Sequence, residues 1–490
     1  MALLLITLEM KKLVFLLLLA LSACTVQKAG NKSDGDSVIS PLVKEVDSQG
    51  LVLTKGRFGN LINGQSYQQE VLLSLNGWQY ITYYDADRQV CLGRRRLPGG
   101  EWEIIRFADY HFSHNPLQEN DSHNNISMGF SVADGKIHLS FDHHVSELHY
   151  RYSKTDVLSK PESVKWETSL FTPVLNYLEK DKKLVSVTYP RFISSPNGNM
   201  LLSYRSGGSG KGELYVGLYD ALVGEWKNIH PVISGRGVYQ GPFGNLSNSR
   251  NPYENGLSYD EKGKLHISWC WREGGKNGVG NRDICHIYSP DDGLTWFNYK
   301  NVAVASAPSN KVVDTATPDI NLKTLDRNWG LMNSQAQATD PHGTFHVVMY
   351  HLKEKAAEPA WARINNGAYF HYYRDKRGQL KEFQIPAIGN RPKLLADRNS
   401  NLYLIFIEKD PFDRTVNYSG KLKILKATKE MQWTNWKDLY VSEEEYFNEP
   451  LIDPERWDKE EVISLMLQDK PTMSSGIPAA IKVMDIDLNN

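Results

Sequence analysis

The stretch Asn255–Trp271, NGLSYDEKGKLHISWCW, holds two short alternating runs of apolar and polar residues around a polar turn at Gly263. Period-two alternation broken by a glycine turn is the mark of two antiparallel strands. The same unit is written again at Met128–His144 (MGFSVADGKIHLSFDHH), Pro190–Ser206 (PRFISSPNGNMLLSYRS), Ala336–His351 (AQATDPHGTFHVVMYH) and Pro392–Glu408 (PKLLADRNSNLYLIFIE). Glu70–Asp85, EVLLSLNGWQYITYYD, is an earlier copy with a shorter turn. The turn positions Gly77, Gly135, Gly198, Gly263, Gly343 and Ser400 recur roughly every sixty residues, the length of one sheet unit plus insertions. Third strands follow most pairs, as in ELYVGLYD, DICHIYS and AYFHYYRD, and Trp-bearing segments such as EWKNI, LTWFN and TNWKDL close several units. Helical periodicity is nearly absent. This pattern predicts an all-β propeller with six blades read directly. The C-terminal EPLIDPERW, VISLMLQDK and AAIKVMDIDL predict most of a seventh, closed by an N-terminal strand such as LVLTKG.

Just downstream of the first stretch lies Ser289–Trp296, SPDDGLTW. Its Ser-x-Asp-x-Gly-x-Thr-Trp spacing resembles the Asp box, a turn between the third and fourth strands of sialidase-like propeller blades. The carboxylate can accept N–H groups of its own turn, Gly permits positive φ, and Trp anchors the next strand. Such a turn marks scaffold and assigns no chemistry.

The 490 residues carry 56 Lys and Arg against 57 Asp and Glu, for a net charge of −1. That balance points to neither nucleic acid nor a disordered chain as the theme. Aromatics make up 11%, which suits strands and sugar stacking alike. Met10-Lys11-Lys12 followed by LVFLLLLA reads as an export leader, too short to span a bilayer comfortably. Leu21-Ser22-Ala23-Cys24 resembles a bacterial lipobox, in which Cys24 becomes the lipidated first residue; Thr25 beside it resembles outer-membrane sorting. KAGNKSDGDS then reads as a flexible linker. The expected organisation is a leader over 1–23, a tether over 24–45 and one catalytic propeller over 46–490, held at the membrane by a lipid anchor only.

Blade geometry makes the polar residues informative. The entrance to a blade's first strand and the exit of its second lie on one face of the disc. In the second blade these places hold His123-Asn124-Asn125 and Asp142-His143-His144; in the third they hold Tyr189-Pro190-Arg191 and Tyr204-Arg205-Ser206. Of the adjacent His143 and His144, strand alternation allows one to face the channel, and His143 is the choice. Arg272, Trp271 and His351 at later exits would extend a groove. The set contains no carboxylate pair of the kind a glycosidase needs, and its cation and neutral donors suit an anionic substrate. A Tyr beside Arg and His can have its phenol pulled below its usual pKa near 10, and Arg and His can stabilise an enolate. Those are the parts for removing a proton α to a carboxylate.

SHNNISMGFSVADGKIHLSFDHH followed by VTYPRFISSPNGNMLLSYRSGG resembles the seven-bladed ulvan lyases over most of the exported chain. The resemblance implies Tyr189 as catalytic acid/base with His123 as its partner, and Arg205 and His143 binding and neutralising the uronate. It implies ulvan as substrate, a sulfated algal polymer of rhamnose 3-sulfate and uronic acids, cleaved by β-elimination. No cofactor is needed for that chemistry. A sialidase-like hydrolase would want an Arg triad, a Tyr–Glu pair and an RIP-like motif, which the chain does not show. A sugar-capture propeller without catalysis is the rival outside enzymes.

Cys91 is expected to be a packed free thiol. Cys270 and Cys285 fall on neighbouring strands, where they could form a disulfide or hold a structural zinc with His286 or His266. Similarity to the lyases adds weight to zinc. His266 lies four residues from Cys270, roughly 13 Å along an extended strand, so zinc there would need a bulge.

Overall fold

The computed structural model describes residues 40–53, 61–65, 68, 70–112, 120–241, 246–274, 278–334, 336–359, 366–408, 419–472 and 476–488. The expected leader, Cys24 and the expected tether up to residue 39 lie outside them. Pro41–Asn490 forms one compact unit. Among the described residues, seven antiparallel sheets follow one another along the chain, and a two-stranded hairpin (Tyr239–Gln240 with Leu246–Ser247) stands apart. The third blade shows the pattern: Val187–Ser194, Met200–Ser206, Glu213–Asp220 and Glu225–Ile233 pair in sequence. In the fourth, Arg250–Tyr259, Leu265–Glu273, Asn281–Ser289 and Thr295–Phe297 do the same. The expected β-propeller with seven blades is the architecture.

The turns explain why the repeat was readable. Gly77, Gly135, Gly198, Gly263, Gly343 and Ser400 all adopt positive φ, between 62° and 88°. A glycine takes that region without a Cβ penalty. In three of these turns an aspartate fixes the loop: Asp260, Asp340 and Asp397 each accept, at Oδ1, the N–H groups two and four residues on. The Asp box behaves as its spacing predicts. Asp291 accepts from Thr295 N–H at 2.8 Å, Ser289 Oγ accepts from Gly293 N–H at 2.8 Å, and Trp296 is fully buried. Asp292 instead bonds Ser195, Asn197 and Tyr259, which ties the third blade to the fourth.

The ring is closed by the N-terminal strand Leu42–Gly50, the outermost strand of the seventh blade, paired with Ala479–Asp487. LVLTKG is therefore not the closing strand; Leu51, Val52 and Leu53 pack as buried coil after it, and Thr54–Gly56 fall outside the described residues. The expected boundary at residue 46 moves too, since residues 42–45 already belong to the blade. Arg95 and Asp485, both buried and 2.8 Å apart, bolt the first blade to the seventh. A seven-residue helix, Pro454–Glu460, follows the inner strand of the last blade, and Asp453 caps it through Arg456 N–H. It lines one end of a cavity of ≈ 240 Å³ between inner strands, where Glu70 and Lys393 sit. Burial pushes Glu70 up to about 8 and Lys393 down to about 8.

Two blades share a buried relay that the sequence did not announce. His266 Nδ1 lies 3.0 Å from His286 Nε2, with Asp260 3.3 Å from the other nitrogen of His266. In the next blade His346 and His371, both fully buried, meet at 2.9 Å with Asp340 beyond. Burial holds His346 and His371 below the ordinary 6.5. An unfolded imidazole binds a proton near pH 6.5 and these folded ones do not, so their contribution is complete above that pH and lost as pH falls below it. The urea midpoint is expected to drop between pH 7 and pH 5; a flat midpoint would contradict the relay's neutrality.

Candidate active site

The site is assembled where the second, third and fourth blades meet. Before the inner strand of the second blade (Ile126–Ser131), the fully buried Asp121 accepts His123 N–H at 3.0 Å and lies 2.7 Å from His123 Nδ1. Its second oxygen lies 2.6 Å from His144 Nδ1. The two imidazoles stack, centroids 4.4 Å apart at 21°. Burial raises the Asp121 carboxyl, but the bonds from both histidines outweigh it and hold the group well below the usual carboxylate range. An ionised carboxylate only accepts, so each Nδ1 is the donor in these contacts and each Nε2 lies on the far side of its ring. Burial, with His144 and Arg205 nearby, brings His123 down to about 4 against the pull of Asp121. His123 is thus a neutral base near pH 7.

His144, and not His143, is the second histidine of the site. The strand Lys136–Phe141 ends before the pair, and Asp142 takes φ +61°, which turns the two histidines out of the alternation expected of a continuous strand. His143 is 1% exposed, and its Nε2 accepts the N–H of His149 at 2.9 Å. Burial pushes it well below 6.5, and its Nδ1 is buried without a hydrogen-bond partner among the described residues.

Tyr189 reaches the same place through a β-bulge. Thr188 pairs with Arg205 and Arg191 with Ser203, so one residue is extra on the inner strand of the third blade. Pro190 sits inside the bulge, where the missing N–H costs no ladder bond. Tyr189 takes φ +55°, a costly conformation for an aromatic residue that a surrounding ladder must enforce. Its ring lies 6.0 Å from that of His123. The Arg205 guanidinium lies over the Tyr189 ring at 4.9 Å and the Tyr253 ring at 5.6 Å. Arg205 is 3% exposed, and its Nε and Nη1 have no hydrogen-bond partner among the described residues. Gly212 makes room for it: a Cβ there would meet Arg205 Cδ at 2.8 Å.

Asp121, Tyr253 and the placement of Arg272 are what sequence reasoning missed. Asp121 stands two residues before His123, a short Asp-x-His spacing that could have flagged it. Tyr253 occupies the strand entrance in the fourth blade that Tyr189 occupies in the third, so repeat alignment could have found it. Burial raises the Tyr253 phenol, but Arg272, Arg205, Asn251 and Ser209 together hold it below its ordinary value. The lowered phenol expected from a Tyr among cations is found here. Arg272 lies 3.7 Å over that ring and bonds Asn281 and Asn333. Trp271 and His351 are core residues, each 1% exposed, and neither joins the histidine, tyrosine and arginine cluster.

The proposed zinc ligands do not come together. His266 and His286 bond each other, Cys285 Sγ bonds Asn321 Oδ1 at 3.3 Å, and burial pushes the Cys270 thiol up to about 12. Cys91, Cys270 and Cys285 are free thiols, so the disulfide is not formed either. Among the described residues, the donor atoms of Asp121, His123 and His144 form the one set of three potential metal ligands within 4.8 Å of one another. The Nδ1 atoms of both histidines are already spent on Asp121.

A model described as BNR repeat-containing family member matches residues 78–388. An Alteromonas sp. ulvan lyase, long isoform, is 28% identical over 266 residues, 45% of this chain and 25% of that protein. The long isoform from Pseudoalteromonas sp. (strain PLSV) is 26% identical over 371 residues, 67% of this chain and 35% of that protein. The matches thus span only about a quarter to a third of these relatives' length. Among solved structures, the polysaccharide lyase Uly1 superposes with a TM-score of 0.72 at 16% identity, over 92% of this chain and 99% of its own. A PL25 ulvan lyase bound to -[GlcA(1-4)Rha3S]- superposes with a TM-score of 0.62 at 10% identity, over 91% and 95%. These likenesses carry the fold.

Proposed function

This chain belongs to the BNR repeat-containing family, and on that scaffold we propose that its His–Tyr–Arg site cleaves ulvan by β-elimination at uronic acid residues. One observation carries the reading: a neutral imidazole, a partly exposed phenol and a buried guanidinium with free donors converge within one sugar's reach. The curated relatives named ulvan lyases support it. Arg205 pairs with the uronate carboxylate and lowers the cost of the enolate that forms when the C5 proton leaves. His123 and Tyr189 form the acid/base pair; one takes that proton and Tyr189 delivers one to the departing O4. The C4–O4 bond breaks as the C4–C5 double bond forms, leaving a 4,5-unsaturated uronate at the new non-reducing end. Asp121 orients His123 and His144, and His144 replaces His143 at the binding face. All of these steps are carried by side chains.

Incubating the protein with ulvan while following ultraviolet absorbance tests the reading. A rising absorbance from the conjugated double bond is the expected result. New reducing ends without absorbance would identify a hydrolase, and retention of polymer without either would identify a capture protein. Either outcome overturns the elimination. On the sequence of the leader, Cys24 and Thr25 we place the protein at the outer membrane, exposed to polymer outside the cell. No helix among the described residues is long and apolar enough to cross a membrane.

A further inference from the structure

A second polar pocket lies beside the third strands of the fourth and fifth blades. Beyond Thr295–Phe297, the fourth blade adds Ala303–Ser306 and then Asn321–Lys323, which pairs back onto its third strand. Between that insertion and the third strand of the fifth blade (Gly367–Arg374) lies a cavity of ≈ 570 Å³, lined among others by Tyr299, Thr315, Thr317, Lys323 and Arg374. Sites for small ligands commonly fall in the range of about 300–1,000 Å³.

Arg374 sets its chemistry. The guanidinium lies over the Tyr299 ring at 4.2 Å and donates to the carbonyls of Gly378 (3.0 Å) and Asn321 (3.2 Å). Its Nε is buried without a hydrogen-bond partner, and the lining carboxylate that feels its charge, Asp319, is paired instead with Lys300 at 3.0 Å. The other cations differ: Arg282 is held by Glu273 and Asp283, and Lys323 by Glu382. Tyr299 is 38% exposed and its hydroxyl is fixed by Asp319 at 2.9 Å, so the ring is a held, solvent-facing platform. A flat aromatic face beside a guanidinium with a buried, unpartnered Nε suits the apolar face of a pyranose that carries an oxyanion.

We propose that this pocket is an auxiliary binding site for an anionic sugar unit, a sulfate ester or a uronate. It rests on the proposed function for the identity of the polymer, but not for the existence of the site. A long chain then engages the protein twice, once at the site of cleavage and once at this pocket, and the second contact raises the effective concentration of bonds near the first.

The test uses the Tyr189→Phe protein, retarded in gels cast with ulvan or with a neutral polysaccharide, beside Arg374→Gln and Tyr299→Ser versions of it. Retardation by ulvan is expected to weaken about tenfold in each, as loss of a charged contact implies, with no effect in the neutral gel. In the active protein the same changes should raise KM for long polymer severalfold, and leave kcat on short oligosaccharides within about twofold. Tyr299→Ser serves where Arg374→Gln perturbs folding, since its ring stands partly outside the protein. Unchanged retardation in both variants overturns the proposal. Weakened retardation in a protein that never yields unsaturated product would keep the pocket and sink only the lyase reading.

Discussion

Tyr189→Phe is expected to lower turnover of ulvan by about 10³-fold, within the usual range for losing a positioned acid or base. The substitution removes one oxygen and leaves the ring against Arg205 and His123. Fold and polymer binding should therefore persist. Initial rates by absorbance, with retardation in an ulvan gel as the control, check both halves. Full activity would remove Tyr189 from proton transfer and shift attention to Tyr253, whose phenol is held below its ordinary value by Arg272 and Arg205.

Arg205→Ala should cut kcat/KM by on the order of 10³, through both a higher KM and a lower kcat. A uronate charge is present before and during the reaction, so its partner acts on both states. Losing one member of a buried charge pair costs about 3–5 kcal/mol. Among the described residues no carboxylate hydrogen-bonds Arg205, so the folded state alone should tolerate its loss, and an unchanged melting temperature separates catalysis from stability. Arg205→Lys keeps the charge but loses the planar fork that stacks between Tyr189 and Tyr253, and should recover only part of the rate. An unchanged KM in Arg205→Ala would count against carboxylate binding.

Fold and site were legible to different depths for physical reasons. The turns could be read because positive φ selects glycine, and the six aligned positions do adopt it. Topology then placed His123, Tyr189 and Arg205 together before any coordinates. His143 was misassigned because alternation holds only inside a regular strand, and the backbone leaves that geometry at Asp142. The same limit hid the bulge that aims Tyr189. Asp121 and the Asp–His–His relays escaped because the second histidine of each comes from another strand, which only the fold brings alongside. Cys270 and Cys285 looked like a pair because they lie on adjoining strands. In the fold, however, Cys285 packs with Trp269 and Trp271, while Cys270 packs with Tyr253 and Ile284. For closure, an N-terminal strand was expected at LVLTKG, but the strand that pairs is the one just before it, Leu42–Gly50, while Leu51–Leu53 become buried coil.

That closing strand is the first part of the ring to be synthesised and the last to find its partner. Leu42–Gly50 must wait until Ala479–Asp487 exists before either edge is satisfied. During that interval both present open rows of amide and carbonyl groups, the template on which chains join one another. The molecule is in that sense a clasped bracelet: each blade can form in turn, but the circle resists self-association only once head and tail have met.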